Sequence, residues 1–194
     1  ISKIIFPIEN EPPEIPAGIS AVAELPRIAA NEEYIKKRLE LFKKHSFTKA
    51  LCGNIAAVNI ALDCGFSVIA DIGLNIYNSA SAEEARNMGA DEITLSCEML
   101  LSDISRLTSP VPTGIIAYGK LPLMLYRCCP VKNGKSCKEC GGNGTVTDRR
   151  GVVFPIQCGK AYSEMLNSVP VWLADRKAEL AALDFLTLYF TDET

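Results

Sequence analysis

The sequence predicts an α/β protein, and three observations predict it. Apolar strand-like runs alternate with helix-like runs at a nearly regular period through residue 119. The strand-like runs end in polar or small residues: Pro26-Arg27, Gly53-Asn54, Asp71 with Asn75, Ser96 with Glu98, and Tyr118-Gly119. A Cys-rich stretch and a hairpin-like stretch then interrupt the alternation. Such alternation predicts a parallel sheet with right-handed crossovers. An open doubly wound sheet and a barrel both satisfy it. Polar residues at successive strand ends favour the barrel, because barrels build their sites on that face. The expectation is therefore a parallel (β/α) barrel or partial TIM-like barrel, with the Cys-rich loop and a β-hairpin appended after "TGIIAYG".

Taken in order, "KIIFP" and "ISAVAELPRIA" read as strands. "NEEYIKKRLELFKKHSF" reads as an amphipathic helix with Tyr34, Ile35, Leu39 and Phe42 on one face. Asn31 is its expected N-cap, and His45, the lone histidine, sits at its C-terminal end as a solvated or capping residue rather than a base. "KALCGNI" is a strand, and "AAVNIALDCGF" is a helix stopped at Gly65. "SVIADIGLN" is a strand, and "SAEEARNMG" is a helix capped by Ser79 or Ser81 and stopped at Gly89. "DEITLSCE" is a strand, "MLLSDISRLTS" a helix and "TGIIAYG" a strand. After the Cys-rich loop, "TVTDRRGVVFPI" reads as a hairpin turning near Arg150-Gly151. "AYSEMLNS" and "ADRKAELAAL" read as short helices before a last strand, "FLTLYF".

A chain of 194 residues, 48% of them hydrophobic, suits one packed domain over 1–194 with a metal-binding insertion at 128–158. The net charge of −3 excludes a broad basic surface, so a nucleic-acid role needs a local patch. No apolar run approaches the ~18 residues of a membrane span, and no signal peptide is expected. The opening at Ile1, directly into a strand-like run, reads as a fragment of a longer polypeptide.

Eight cysteines raise the question of compartment. Disulfide scaffolds are smaller and poorer in core-forming segments. Cys52, Cys64 and Cys97 stand alone in apolar contexts and read as buried small hydrophobes, which points to a reducing cytoplasm. Cys137 and Cys140 form a C-x2-C knuckle; Cys129 lies eight residues before it and Cys158 eighteen after it. Four thiolates from one irregular region suit a tetrahedral zinc or a [4Fe–4S] cluster. A disulfide or unligated thiols is the alternative. Cys128 is left out, because adjacent cysteines rarely share an ion and Cys129 precedes the loop-setting Pro130. No Ser-His-Asp set, HExxH or G-x-S-x-G is present, and "GGNG" lacks the strand and GK[ST] of a phosphate loop. Arg27, Asn54, Asp71, Asn75, Asn78, Ser96, Glu98 and Tyr118 are expected to converge on one substrate cavity at the strand ends, with helix capping as the competing role of Asn75 and Asn78.

The motifs "ELPRIAANEE", "GNIAAVNIALDCGF", "DIGLNIYNS", "EITLSCEM", "YGKLPLMLYRCCP", the CxxC, "TDRRGVVFP" and "MLNSVPVWL", in that order, resemble the peptidase U32 family, also labelled collagenase-like proteases. The resemblance is to the C-terminal part of its long bacterial members and runs from about Glu24 to Phe190. The family's better-known signature, with its acidic residue and paired cysteines, belongs to the N-terminal part and is absent here. The resemblance carries no catalytic assignment over to this chain. It implies a four-cysteine iron–sulfur site on Cys129, Cys137, Cys140 and Cys158, and a part in hydroxylating RNA bases or ubiquinone precursors, of which RNA bases are the expectation. The N-terminal U32 domain of the same polypeptide and RNA are then the partners, with no membrane. A collagenase-like peptidase with a structural zinc, and a non-catalytic docking domain, are the alternatives.

Overall fold

A computed structural model describes residues 1–134, 136–159 and 161–191. The first part of the chain runs β1 (Lys3–Pro7), β2 (Ser20–Glu24), α1 (Glu32–Lys44), β3 (Lys49–Cys52), α2 (Ile55–Asp63), β4 (Ser67–Ala70), α3 (Ser79–Asn87), β5 (Ala90–Thr94) and α4 (Leu101–Ile104). It continues through β6 (Thr113–Gly119), β7 (Pro122–Tyr126), α5 (Cys137–Cys140), β8 (Asn143–Thr147), β9 (Val153–Cys158), β10 (Ser163–Leu166), β11 (Val171–Trp172), α6 (Lys177–Leu180) and β12 (Phe185–Tyr189). Two compact units result. Unit 1 comprises Ile1–Ile115 and Arg176–Leu186; unit 2 comprises Ile116–Asp175 and Thr187–Thr194.

The fold is not a parallel (β/α) barrel. Strands β1 to β6 pair in order and in parallel, as the alternation predicts. The larger sheet then turns mixed, because β11 joins β6 antiparallel and β12 also pairs with β6. A separate antiparallel sheet runs β7-β10-β9-β8. The physical reason lies at both ends of the parallel run. β1 reaches β2 through a proline-rich stretch, "IENEPPEIPAGI", which cannot form a crossover helix. After β6 the chain turns at Lys120-Leu121 straight into β7, so no crossover helix follows β6. The expected helix "MLLSDISRLTS" is a single turn, Leu101–Ile104. "AYSEMLNS" is not a helix but strand β10.

Unit 1 packs its helices on the parallel strands. Helix α1 buries Ile35, Leu39 and Phe42, and Phe42 meets Phe47 edge-on at 4.7 Å. Val22, Leu51 and Ile69 from β2, β3 and β4 form one buried cluster with Ile5 against it. Each such side chain contributes about 1.5–3 kcal/mol by leaving water. The sheet curls, so that Lys3 on β1 reaches Glu92 on β5, four strands away. Lys49 on β3 holds the other oxygen of Glu92 at 2.5 Å. Burial pushes the Glu92 carboxyl up, but hydrogen bonds and charge from Lys3 and Lys49 outweigh it and leave it below its ordinary value.

Unit 2 is a different construction. β10 lies between β7 and β9 and buries Ser163, Glu164 and Leu166. β8 and β9 form the expected hairpin, with Thr147 opposite Val153. Asp148 closes its turn by accepting from the backbone N–H groups of Arg150 and Val152 at 2.7 and 2.9 Å. No helix among the described residues is long and apolar enough to cross a membrane.

Candidate functional site

Two sets of side chains are candidates to act, and they fall in different units. The strand-end set belongs to unit 1 except for Tyr118, which lies on the unit 2 part of β6. Arg27 follows β2, Asn54 follows β3, Asp71 follows β4 and Ser96 follows β5. Because these strands are parallel, all four lie at the same end of the sheet.

Within this set Arg27 and Asp71 are brought together. Burial raises the Asp71 carboxyl above its ordinary value, opposed by the Ile72 N–H and by the Arg27 guanidinium. Between them the surface is bare backbone. A Cβ on Gly53 would lie 3.5 Å from the Arg27 side chain and 3.6 Å from an Asp71 oxygen. A Cβ on Gly73 would lie 2.3 Å from the Gly53 carbonyl oxygen, so only glycine permits this approach. Asn54 serves this corner from behind. Its amide donates to the Arg27 carbonyl at 3.0 Å, and its oxygen caps α2 by accepting from the Ala57 N–H at 2.8 Å.

The other members have local roles. Asn75 is exposed in the left-handed region at φ 51°. Asn78 caps α3, accepting from the Ser81 N–H at 2.8 Å in a capping box; the cap is Asn78 rather than Ser79 or Ser81. The buried Ser96 hydroxyl accepts from the Glu98 N–H at 3.2 Å, while Glu98 itself is exposed.

Two thiols outside the expected strand-end set also feel Asp71. Cys52 is buried as expected, and burial together with the Asp71 charge pushes it up to about 12. Cys97 is exposed, not buried. Burial of its sulfur and then Asp71 push its thiol up to about 11, against the pull of Arg27. Its position between Ser96 and Glu98, both strand-end candidates, was the available signal. Cys64 is half-buried.

The second set is the cysteines of unit 2. No disulfide links them; all eight cysteines are free. Cys129 comes from the turn after β7, and Cys158 ends β9, paired in register with Ser163 of β10. Their thiols hydrogen-bond to each other, and the Ser163 hydroxyl bonds the Cys158 sulfur at 3.7 Å. Desolvation alone would push Cys129 up; bonds from the Val131 N–H, Ser163, Cys158 and the Lys132 N–H bring it below its ordinary value. Cys158 is raised, by burial and by the neighbouring charges of Cys129 and Cys140, despite Ser163. Of the two, Cys129 gives up its proton first. Cys137 and Cys140 bracket the single turn of α5, where Ser136 and Glu139 form a capping box. The Cys140 thiol bonds back to the Cys137 carbonyl at 3.7 Å. Cys128 is exposed.

Four thiols are the right donor chemistry for zinc or an iron–sulfur cluster. The arrangement is partial: Cys129 and Cys158 act on each other, and the charge of Cys140 bears on Cys158. Among the described residues no three Cys, His, Asp or Glu side chains already surround one point. The chain matches no protein-family model and no curated protein.

Proposed function

We propose that Cys129, Cys137, Cys140 and Cys158 are the ligands of one metal centre, a [4Fe–4S] cluster or a zinc ion. On this reading the chain is the C-terminal part of a U32-like protein that hydroxylates RNA bases in a reducing cytoplasm. The observation that carries it is the meeting of Cys129, from the turn after β7, with Cys158, at the end of β9, and with Cys140 in electrostatic reach of Cys158. Thiolates so gathered repel one another, and a bound cation removes that cost. The turn carrying Cys137 and Cys140 is exposed and followed by Gly141 and Gly142, so it closes on the other two without disturbing a core. A bound cluster would supply redox chemistry; a zinc ion would supply order alone. In unit 1, the neighbouring Arg27 and Asp71 would meet the polar part of a substrate.

Anaerobic purification with an absorption spectrum and metal analysis tests this reading. Iron and sulfide at four of each per chain, with a brown colour, support the cluster and the hydroxylase. Stoichiometric zinc without iron keeps the site and replaces the hydroxylase by a structural role. Protein that binds neither metal overturns the site.

A further inference from the structure

One side chain of unit 2 bears on both of the sulfurs that meet, and it is not a cysteine. Ser163 opens β10, the strand between β7 and β9. It pairs with Tyr126 on one side and with Cys158 on the other. Residues directly opposite across antiparallel strands share a face, so the Ser163 hydroxyl and the Cys158 thiol stand side by side. The hydroxyl donates to the Cys158 sulfur at 3.7 Å, and it bonds the Cys129 sulfur as well. Ser163 is only 6% exposed. A buried hydroxyl costs stability unless it finds a partner, and its partners are two of the four proposed ligands.

The donors around these sulfurs differ in kind. Cys129 accepts from the Val131 and Lys132 N–H groups of its own turn. Ser163 comes from a different strand and is a donor that both sulfurs share. It therefore ties the Cys129 turn to the end of β9, where a shared ion would need them tied. Tyr126, its other cross-strand neighbour, sends its hydroxyl elsewhere, to the sulfurs of Met124 and Met165 at 3.0 and 3.9 Å. A hydrogen bond to a ligating sulfur orients it and draws charge from it. Outer groups of this kind set the affinity and electronic character of a thiolate centre.

We propose that Ser163 is a positioning residue of the four-cysteine centre, its hydroxyl orienting Cys129 and Cys158 and drawing charge from their sulfurs when they hold a metal. The inference rests on the four-cysteine reading above. Cobalt(II), added anaerobically to the metal-free chain, tests it, because thiolate-bound cobalt is coloured and the readout needs no activity. Wild-type protein should show the sulfur-to-cobalt charge-transfer band. Ser163→Ala should bind cobalt about 10–100-fold more weakly and move the band to longer wavelength, since its sulfurs keep more charge. Ser163→Thr retains the hydroxyl and should restore both, with circular dichroism confirming that each variant is folded. Cadmium-loaded wild type tests the bond without any substitution: in NMR spectra the Ser163 hydroxyl proton should couple to the cadmium nucleus through the sulfur. Wild-type protein that binds no cobalt overturns the four-cysteine reading and this inference with it. Cobalt bound equally by wild type and Ser163→Ala, with the same band, overturns this inference alone. So does weaker binding by Ser163→Ala with an unmoved band and no cadmium coupling, the signature of a merely structural hydroxyl. Where Ser163→Ala does not fold, absence of the cadmium coupling in the wild type overturns the proposal.

Discussion

Unit 1 buries Leu39, Phe42 and Phe47 fully beside a curled sheet of parallel strands. The segment from Cys128 to Cys158 in unit 2 buries Ile156 alone among its described residues. The difference teaches where order comes from in each. Apolar burial holds the unit 1 strand ends, and with them Arg27 and Asp71, in place. The cysteine segment has almost no such burial, so its order must come from bonds between polar groups, and ligand bonds are the strongest it can make.

The sharpest way to break that comparison is to remove ligands. The double substitution Cys137→Ser with Cys140→Ser should abolish metal binding and expose residues 128–158 to protease, while far-ultraviolet circular dichroism and the melting of unit 1 stay unchanged. Limited proteolysis with mass spectrometry of the fragments reads the first effect. The reciprocal change is Phe42→Ala. It should destabilise unit 1 by about 3–5 kcal/mol, measured by urea unfolding, and leave a native-condition metal content unaltered.

Next in size is Glu92→Gln, which leaves Lys3 and Lys49 without their carboxylate. A loss of about 1.5–3 kcal/mol is expected. The lowered Glu92 pKa sets the sign with pH. Its contribution is complete above the unfolded value of roughly 4.3 and vanishes as pH falls through the folded value. The wild-type protein should therefore lose more stability on acidification than Glu92→Gln. Removing the cap by Asn78→Ala should cost about 1 kcal/mol. The smallest effect is chemical. Cys97 should alkylate slowly at neutral pH although it is exposed, and Asp71→Asn should speed it several-fold by removing the neighbouring charge, as iodoacetamide kinetics would show.

Unit 1 is more legible in the sequence than unit 2, for the same reason. Helix α1 shows its boundaries in Asn31 and His45 and its buried face in Ile35, Leu39 and Phe42, because amphipathic packing writes a period into the chain. The parallel strands are visible as apolar runs. Their closure is not, since nothing in the period of β1 to β6 dictates the path of the chain beyond Gly119. In unit 2, β10 is covered on both faces and so lacks alternation; its Glu164, Met165 and Leu166 favour helix, and the flanking strands override them. β7, "PLMLY", is a continuous apolar run without a period, although its middle three residues are exposed. The cysteine spacing picks out the four thiols proposed as donors, and the fold brings Cys129 and Cys158 near each other. Cys97 defies its context: its apolar neighbours suggest burial, whereas the turn after β5 carries it to the surface.

Metal-edge X-ray absorption on anaerobically loaded protein tests the four-cysteine centre most directly, because it counts the ligand atoms themselves. The account predicts a shell of sulfur alone at about 2.3 Å, present in the wild type and in Cys128→Ser and lost in Cys137→Ser with Cys140→Ser. A shell containing nitrogen or oxygen, or an unchanged sulfur shell in the double variant, would contradict it.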